Sequence, residues 1–272
     1  MSDPMKIAKD TVSIVGELIK TAGDNPDVKA AGQNLGKAAL TITKTINNAL
    51  LPLAAVNFAF DKARVYFSDK FQNDLSEKAS KILQENIVEP KASIAGPALQ
   101  GLAFTHDEPS LKDMYLSLLA TAMNSQTTNN AHPAFVEIIK QLDSEEASLL
   151  RDILRATQVP VAEIRRQTEG QSGWIPLHKH LINVTRSKTK NPVEHSGIAA
   201  MIDNWIRLGL VEVDYSKHIN DDSSYSWVEK RPEYIKYKTS HEKDSIKVKF
   251  QKGVLLRTAL GAKFALAVGL IN

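Results

Sequence analysis

The chain has 272 residues, 43% of them hydrophobic, which exceeds one small domain and is enough to bury a core without covalent staples. It has no cysteine, which excludes disulfides, thiolate metal sites and cysteine nucleophiles and suits a reducing compartment. Its formal charge of +3 is uneven: residues 1–142 hold 14 Lys+Arg against 15 Asp+Glu and residues 143–272 hold 20 against 16, a mild basic excess that permits an anionic partner without demanding one.

The opening MSDPMKIAKD lacks a cationic stretch followed by an apolar run, so a cytoplasmic chain without a secretory signal is expected. The first 90 residues read as long helices over 7–20, from 28 to a break near Pro52, and from 54 to about 83, with Asp24, Asn25 and Pro26 at the first junction. Residues 106–155 then read as three capped, amphipathic helices in close succession. Ser110 is the expected N-cap of the first, with Asp113 three residues on, and Leu111, Met114, Tyr115, Leu118, Leu119 and Ala122 follow the spacing of one helical face. After a polar loop from Asn124 to Asn130, Pro133 opens the second, whose Phe135, Ile138, Ile139 and Leu142 repeat the stripe. Asp143 caps the third, with Glu146 at the third helical position, where both carboxylates meet the amide end of the helix. Stripes of this kind predict core packing.

From Asp143 the pattern changes. Short helices are expected over 145–156 and 160–167, followed by a basic loop. Ile198, Met201, Ile202, Trp205 and Ile206 mark one helical face, which Arg207 and Gly209 terminate. Leu210, Val211 and Val213 predict a strand, and Ile246, Val248 and Phe250, alternating with Lys247 and Lys249, predict another. Gly253 separates that strand from a stretch that becomes helical over 259–268. Helices, a strand, a long basic hairpin over about 216–252, a returning strand and a last helix follow the order of a winged-helix domain. The expected fold is therefore mainly α, with a multi-helix domain over 1–142 and a small α+β winged-helix-like domain over 143–272.

Several words in the first half are distinctive: NALLP over 48–52, PKASIAGP over 90–97, and Leu118, Leu119, Ala120, Ala122 and Met123 as LLA-x-AM. HPAFVEIIKQL over 132–142 follows, and then the acidic helix start Asp143, Ser144, Glu145, Glu146, Ala147. On these words the chain resembles the abortive infection alpha family of prokaryotic proteins over about residues 45–155, with Asn124 standing where the family pattern leads one to expect Asp. The resemblance implies a part in phage defence; it implies no reaction and no catalytic residue.

No motif supplies a chemistry. Gly32 to Ala38 (GQNLGKA) suggests a phosphate loop, but one residue is missing between the glycines, Ala38 has no hydroxyl, and no buried strand precedes it. His178 and His180 share a face only on a strand and lack a partner at metal-ligand spacing; His132 serves the start of the helix at Pro133, and His106 lies beside a turn. There is no G-x-S-x-G elbow, no H-E-x-x-H and no dinucleotide fingerprint, so no enzyme activity, cofactor or metal is expected.

Two surfaces remain. Residues 38–60 carry Lys44 as their sole charge and as a helix would run about 35 Å. Leu50, Leu51, Leu53, Phe58 and Phe60 are its apolar face, read as helix packing, while Pro52 and the asparagines weigh against the alternative of a membrane-active effector. The second surface is cationic: Lys230, Arg231, Lys236, Lys238, Lys247 and Lys249 interleave with Trp227, Tyr234, Tyr237 and Phe250, and Arg186, Lys188 and Lys190 precede the helix at Ile198. That helix has Asp203 and only Arg207 as a cation, which suits base readout poorly. The expected function is a non-enzymatic part in phage defence through binding of a protein or a nucleic acid. A winged-helix nucleic-acid regulator and the membrane effector are the alternatives, and a homo-oligomer is compatible with each.

Overall fold

The computed structural model describes residues 62–271 apart from 64, 68 and 186–190. The helices expected over 7–20 and 28–52, the Gly32–Gly36 segment and the apolar stretch 38–60 lie outside the described residues. Arg151–Lys263 forms one compact unit; the described residues before it, together with those from Phe264 onward, form the other.

The first unit is helical. Helix α1, Phe71–Ala79, buries Phe71, Leu75 and Ala79 at a spacing of four, and Lys78 and Asp74 on its polar side pair with Asp113 at 2.5 Å and Lys112 at 2.9 Å. Helices α2, Ala92–Thr105, and α3, Pro109–Ala122, pack against each other, and α3 buries nine residues because neighbours cover it on several sides. At their crossing Gly101 has no room for a side chain: a Cβ would lie 2.4 Å from the Tyr115 ring. The start of α3 differs from expectation. Glu108 stands at the N-cap without a side-chain cap and Pro109 opens the helix, so Ser110 is already inside it; proline's fixed φ and missing N–H suit that first turn.

Helix α4, Pro133–Ile139, begins as expected, with the His132 ring accepting the Ala134 N–H at 3.1 Å. Helix α5, Ser144–Arg155, has the expected reciprocal cap: the Glu146 N–H donates to Asp143 at 2.7 Å, and the Asp143 N–H donates to the Glu146 carboxylate at 3.1 Å. The last helix ends in this unit, where the Thr121 hydroxyl donates to the Ala267 carbonyl at 2.8 Å and the rings of Phe264 and Phe135 meet edge to face at 5.6 Å.

The second unit is built on a four-stranded antiparallel sheet in the order β2-β1-β4-β3. Its strands are β1, Gln158–Thr168, β2, Ile175–Leu181, β3, Val211–Asp214, and β4, Ile246–Arg257. Here the expected helix over 160–167 is overturned: those residues are the middle of β1, paired with β4 along their whole length and with β2 from Ala162 to Arg166. Val161, Ala162, Glu163 and Ile164 are all buried, so both faces are covered and the strand shows no period-2 alternation to read. Pro160 lies where β2 does not reach, which is where a strand tolerates a residue without an N–H. The fold is thus mixed α+β, where mainly α was expected.

Helix α6, Ile198–Arg207, buries Ile198, Met201, Ile202 and Trp205, as its periodicity predicts. It ends in a Schellman motif, with Gly209 at φ 73°, the Gly209 N–H on the Ile206 carbonyl and the Leu210 N–H on that of Trp205. Helix α7, Pro232–His241, and two 3-10 turns fill the connection between β3 and β4. Helix α8, Ala259–Ala267, follows β4, its start capped by Thr258, which accepts the Gly261 N–H at 2.8 Å.

Candidate binding surface

The sheet has two faces, and the register assigns side chains to them. Directly paired residues of antiparallel strands share a face, so Glu163, Arg165 and Gln167 of β1 lie with Gln251, Lys249 and Lys247 of β4. Ala162, Ile164 and Val248 are on the opposite face, where Tyr225, Val228 and Tyr234 complete a buried apolar cluster with Trp227, Tyr237 and Phe250 packed against it.

That division corrects the reading of the basic stretch. It is no extended hairpin: 216–245 folds into two 3-10 turns and α7, and its aromatic rings are the covering layer of the sheet. The rings turn inward because each offers more apolar area than any neighbour, and their cations are left outside. Arg231 is the exception. It is fully buried, with its guanidinium on the Glu233 carboxylate at 2.7 Å and on the carbonyls of Val193, at 2.7 Å, and Val184. Burial pushes the Glu233 carboxyl up, but the guanidinium beside it holds it below the usual carboxylate range. Arg231 is thus a structural clasp and not a surface cation.

Lys236 and Lys238 are exposed on α7, the first 3.3 Å from Glu194; Lys230 is exposed just before that helix. Lys252 is paired with Asp222. Lys247 and Lys249 are exposed on the other face, and among the described residues neither has a carboxylate within ion-pair distance. Arg186, Lys188 and Lys190 lie outside the described residues, as do Leu50, Leu51, Leu53, Phe58 and Phe60.

Beside Lys249 stand residues that periodicity did not single out. The Arg165 guanidinium pairs with buried Glu163, donates to Gln251 at 3.2 Å, and lies 4.2 Å over the ring of Trp174, which is 53% exposed. The hint available in sequence was the turn Glu169 to Gly173 between two stretches able to form strands, a hairpin signal. On this face Arg165, Lys247 and Lys249 make a cationic strip with an aromatic ring at one end.

The rest of the face is closed by a polar constellation. The Tyr215 ring lies on Gly253, where a Cβ would come within 2.5 Å of it. His180 sits on the bulged part of β2 with φ 57°, the left-handed region that bulky residues seldom adopt, and the bulge turns its ring toward Tyr215 and Asp203. The Tyr215 hydroxyl accepts the His180 backbone N–H at 2.9 Å and meets the ring Nδ1 at 3.1 Å, while Nε2 meets Asp203 at 3.2 Å. A neutral ring with its proton on Nε2 satisfies every one of these contacts. Burial lowers the His180 pKa despite Asp203, and burial pushes the Tyr215 hydroxyl up to about 12. Both groups are occupied by each other, an arrangement suited to holding Tyr215 in place. On the opposite face His178 is lowered by burial in the same way, and its Nε2 has no hydrogen-bond partner among the described residues. Those residues contain no group of His, Asp or Glu arranged to hold a metal.

Comparison with curated proteins and with solved structures finds no match. A family described as abortive infection alpha matches residues 63–268, a span that runs through the helices of the first unit and the whole of the sheet. The chain belongs to the abortive infection alpha family.

Proposed function

We propose that this chain is a non-enzymatic component of prokaryotic abortive-infection defence that acts inside the cell by holding a nucleic acid against the open half of its sheet. Membership of the family supports the defence setting. One observation carries the binding reading: Lys249, its cross-strand partner Arg165, and Lys247 two residues along β4 share one face, unmatched by surface acids at the two lysines and flanked by exposed Trp174. Cations in a row beside an aromatic ring fit a phosphate backbone and the bases it carries.

A winged-helix regulator would instead set α6 into a duplex groove. Against that, Arg207 is the sole cation of α6, its guanidinium held by Asn204 at 2.6 Å, and Asp203 would face phosphate. The membrane alternative rests on 38–60, outside the described residues; among the described residues no helix is long and apolar enough to cross a membrane.

The test is fluorescence anisotropy of labelled oligonucleotides at low salt, paired with phage challenge of cells carrying the same variants. Lys247→Glu with Lys249→Glu abolishes binding and protection, whereas Lys236→Glu with Lys238→Glu, on the helix behind the sheet, leaves most of both. Equal loss from the two pairs, or no binding by the wild-type chain, refutes the reading.

A further inference from the structure

Resting on that reading, we infer that the nucleic acid held by this face is single-stranded, with Trp174 as the platform on which an unpaired base stacks. The ring is half exposed at the turn between β1 and β2, and the Arg165 guanidinium lies over it at 4.2 Å, so it is held in one orientation before any ligand arrives. Arg165 is itself fixed by Glu163 and by Gln251 at 3.2 Å, which makes the platform a built feature and not a loose surface ring. A base can stack there only if it is free of its duplex neighbours; in a duplex the base faces are hidden and the ring would meet sugar and phosphate.

The cations point the same way. Lys247 and Lys249 are two residues apart on β4, about 7 Å by strand rise, so the two lysines follow one line, with Arg165, paired to Glu163, directly across from Lys249 on β1. That footprint tracks a single backbone; it does not straddle a groove. The charge available is small, because Glu169 and Asp244 are both exposed at the end of the strip, where the Glu169 N–H meets the Ser245 carbonyl. Stacking must therefore supply much of the affinity, and stacking tolerates any base. The partner expected is a single strand of DNA or RNA without a strict sequence.

The three tryptophans of the chain differ in a useful way: Trp205 is fully buried and Trp227 packs against the core behind the sheet, which leaves Trp174 as the exposed one. Titrating the full chain with oligo(dT) is expected to quench its fluorescence, with duplex of equal length binding more weakly. Trp174→Ala lowers single-strand affinity about 5- to 100-fold with the salt slope unchanged, and Trp174→Phe recovers most of that loss. Lys247→Gln with Lys249→Gln instead reduces the slope of log K against log salt by about 1.4. Circular dichroism confirms that each variant is folded.

If duplex binds as tightly as single strand and Trp174→Ala has no effect while the lysine variants still lose affinity, the single-strand inference is overturned and the nucleic-acid reading stands. If neither oligonucleotide binds and poly-glutamate does, the partner is an acidic polypeptide and both are overturned.

Discussion

Replacing Arg231 by methionine is expected to destabilise the second unit severely, although the sequence presents this residue as one cation among eight in a basic stretch. Its guanidinium is fully buried and serves three acceptors: the Glu233 carboxylate and the carbonyls of Val184 and Val193. Removing it leaves a carboxylate of a residue only 3% exposed without its countercharge. Breaking a buried pair in this way costs about 3–5 kcal/mol, and each orphaned carbonyl adds about 1–3 kcal/mol before relaxation. The double variant Arg231→Met with Glu233→Leu removes both charges, so the cost that remains is chiefly that of the two carbonyls, about 2–6 kcal/mol before relaxation. The two substitutions therefore couple favourably, the double being less damaging than Arg231→Met alone. Urea unfolding followed by tryptophan fluorescence measures this directly, since all three tryptophans lie in Arg151–Lys263. A loss below about 1 kcal/mol for Arg231→Met, the scale of a surface substitution, would falsify the buried clasp and return Arg231 to the candidate binding surface.

Other expectations follow from single contacts. Gly261→Ala drives a Cβ to 2.0 Å from the Leu210 carbonyl oxygen, a backbone atom that no rotamer change can move, so a loss of about 1–3 kcal/mol is expected by thermal melting; an unchanged midpoint would mean that α8 sits elsewhere. Gly101→Ala meets the Tyr115 ring at 2.4 Å and should cost a similar amount, about 1–3 kcal/mol, in the first unit, read by helical circular dichroism. Asp143→Ala removes one half of the reciprocal cap of α5 and should cost about 0.5–2 kcal/mol, whereas Ser110→Ala, which caps nothing, should be close to neutral in the same melt. The pH response follows from His180. Its folded pKa is lowered by burial, so the unfolded chain binds more protons, and the stabilisation is complete above the unfolded value of about 6.5 and lost as pH falls below it. His180→Asn, which tolerates the left-handed backbone, should lose less melting temperature between about pH 7 and pH 5 than the wild-type chain; an identical slope would refute the assignment.

Much of the first unit is legible along the chain because its signals are local. The stripe from Leu111 to Ala122, Pro133 at a helix start and the Asp143–Glu146 box each involve residues within one or two turns, and the helices form on them. In the second unit α6 was readable for the same reason, through its apolar face and Gly209. The strand β1 was not. Its middle residues, Val161 to Ile164, are buried on both faces, so the alternation that announces a half-exposed strand is missing there, and Pro160 with Arg165 and Arg166 imitates a helix start followed by a polar face. With β1 unread, the cationic strip could not be assembled either, since Arg165 meets Lys249 only through pairing between strands more than eighty residues apart.

The sequence by itself determined the starts of α4 and α5, the buried stripes of α3 and α4, and which family the chain joins, because capping, periodicity and family words are properties of neighbours in the chain. Only the tertiary structure decided which cations are free to meet another molecule. Folding 216–245 over one side of the sheet turned its aromatic rings into core, drew Arg231 inside against Glu233, and left Lys247 and Lys249 facing out beside Arg165 and Trp174. A lysine and an arginine look alike as entries in a charge count, and whether each is solvated, paired or buried depends on what long-range pairing places next to it.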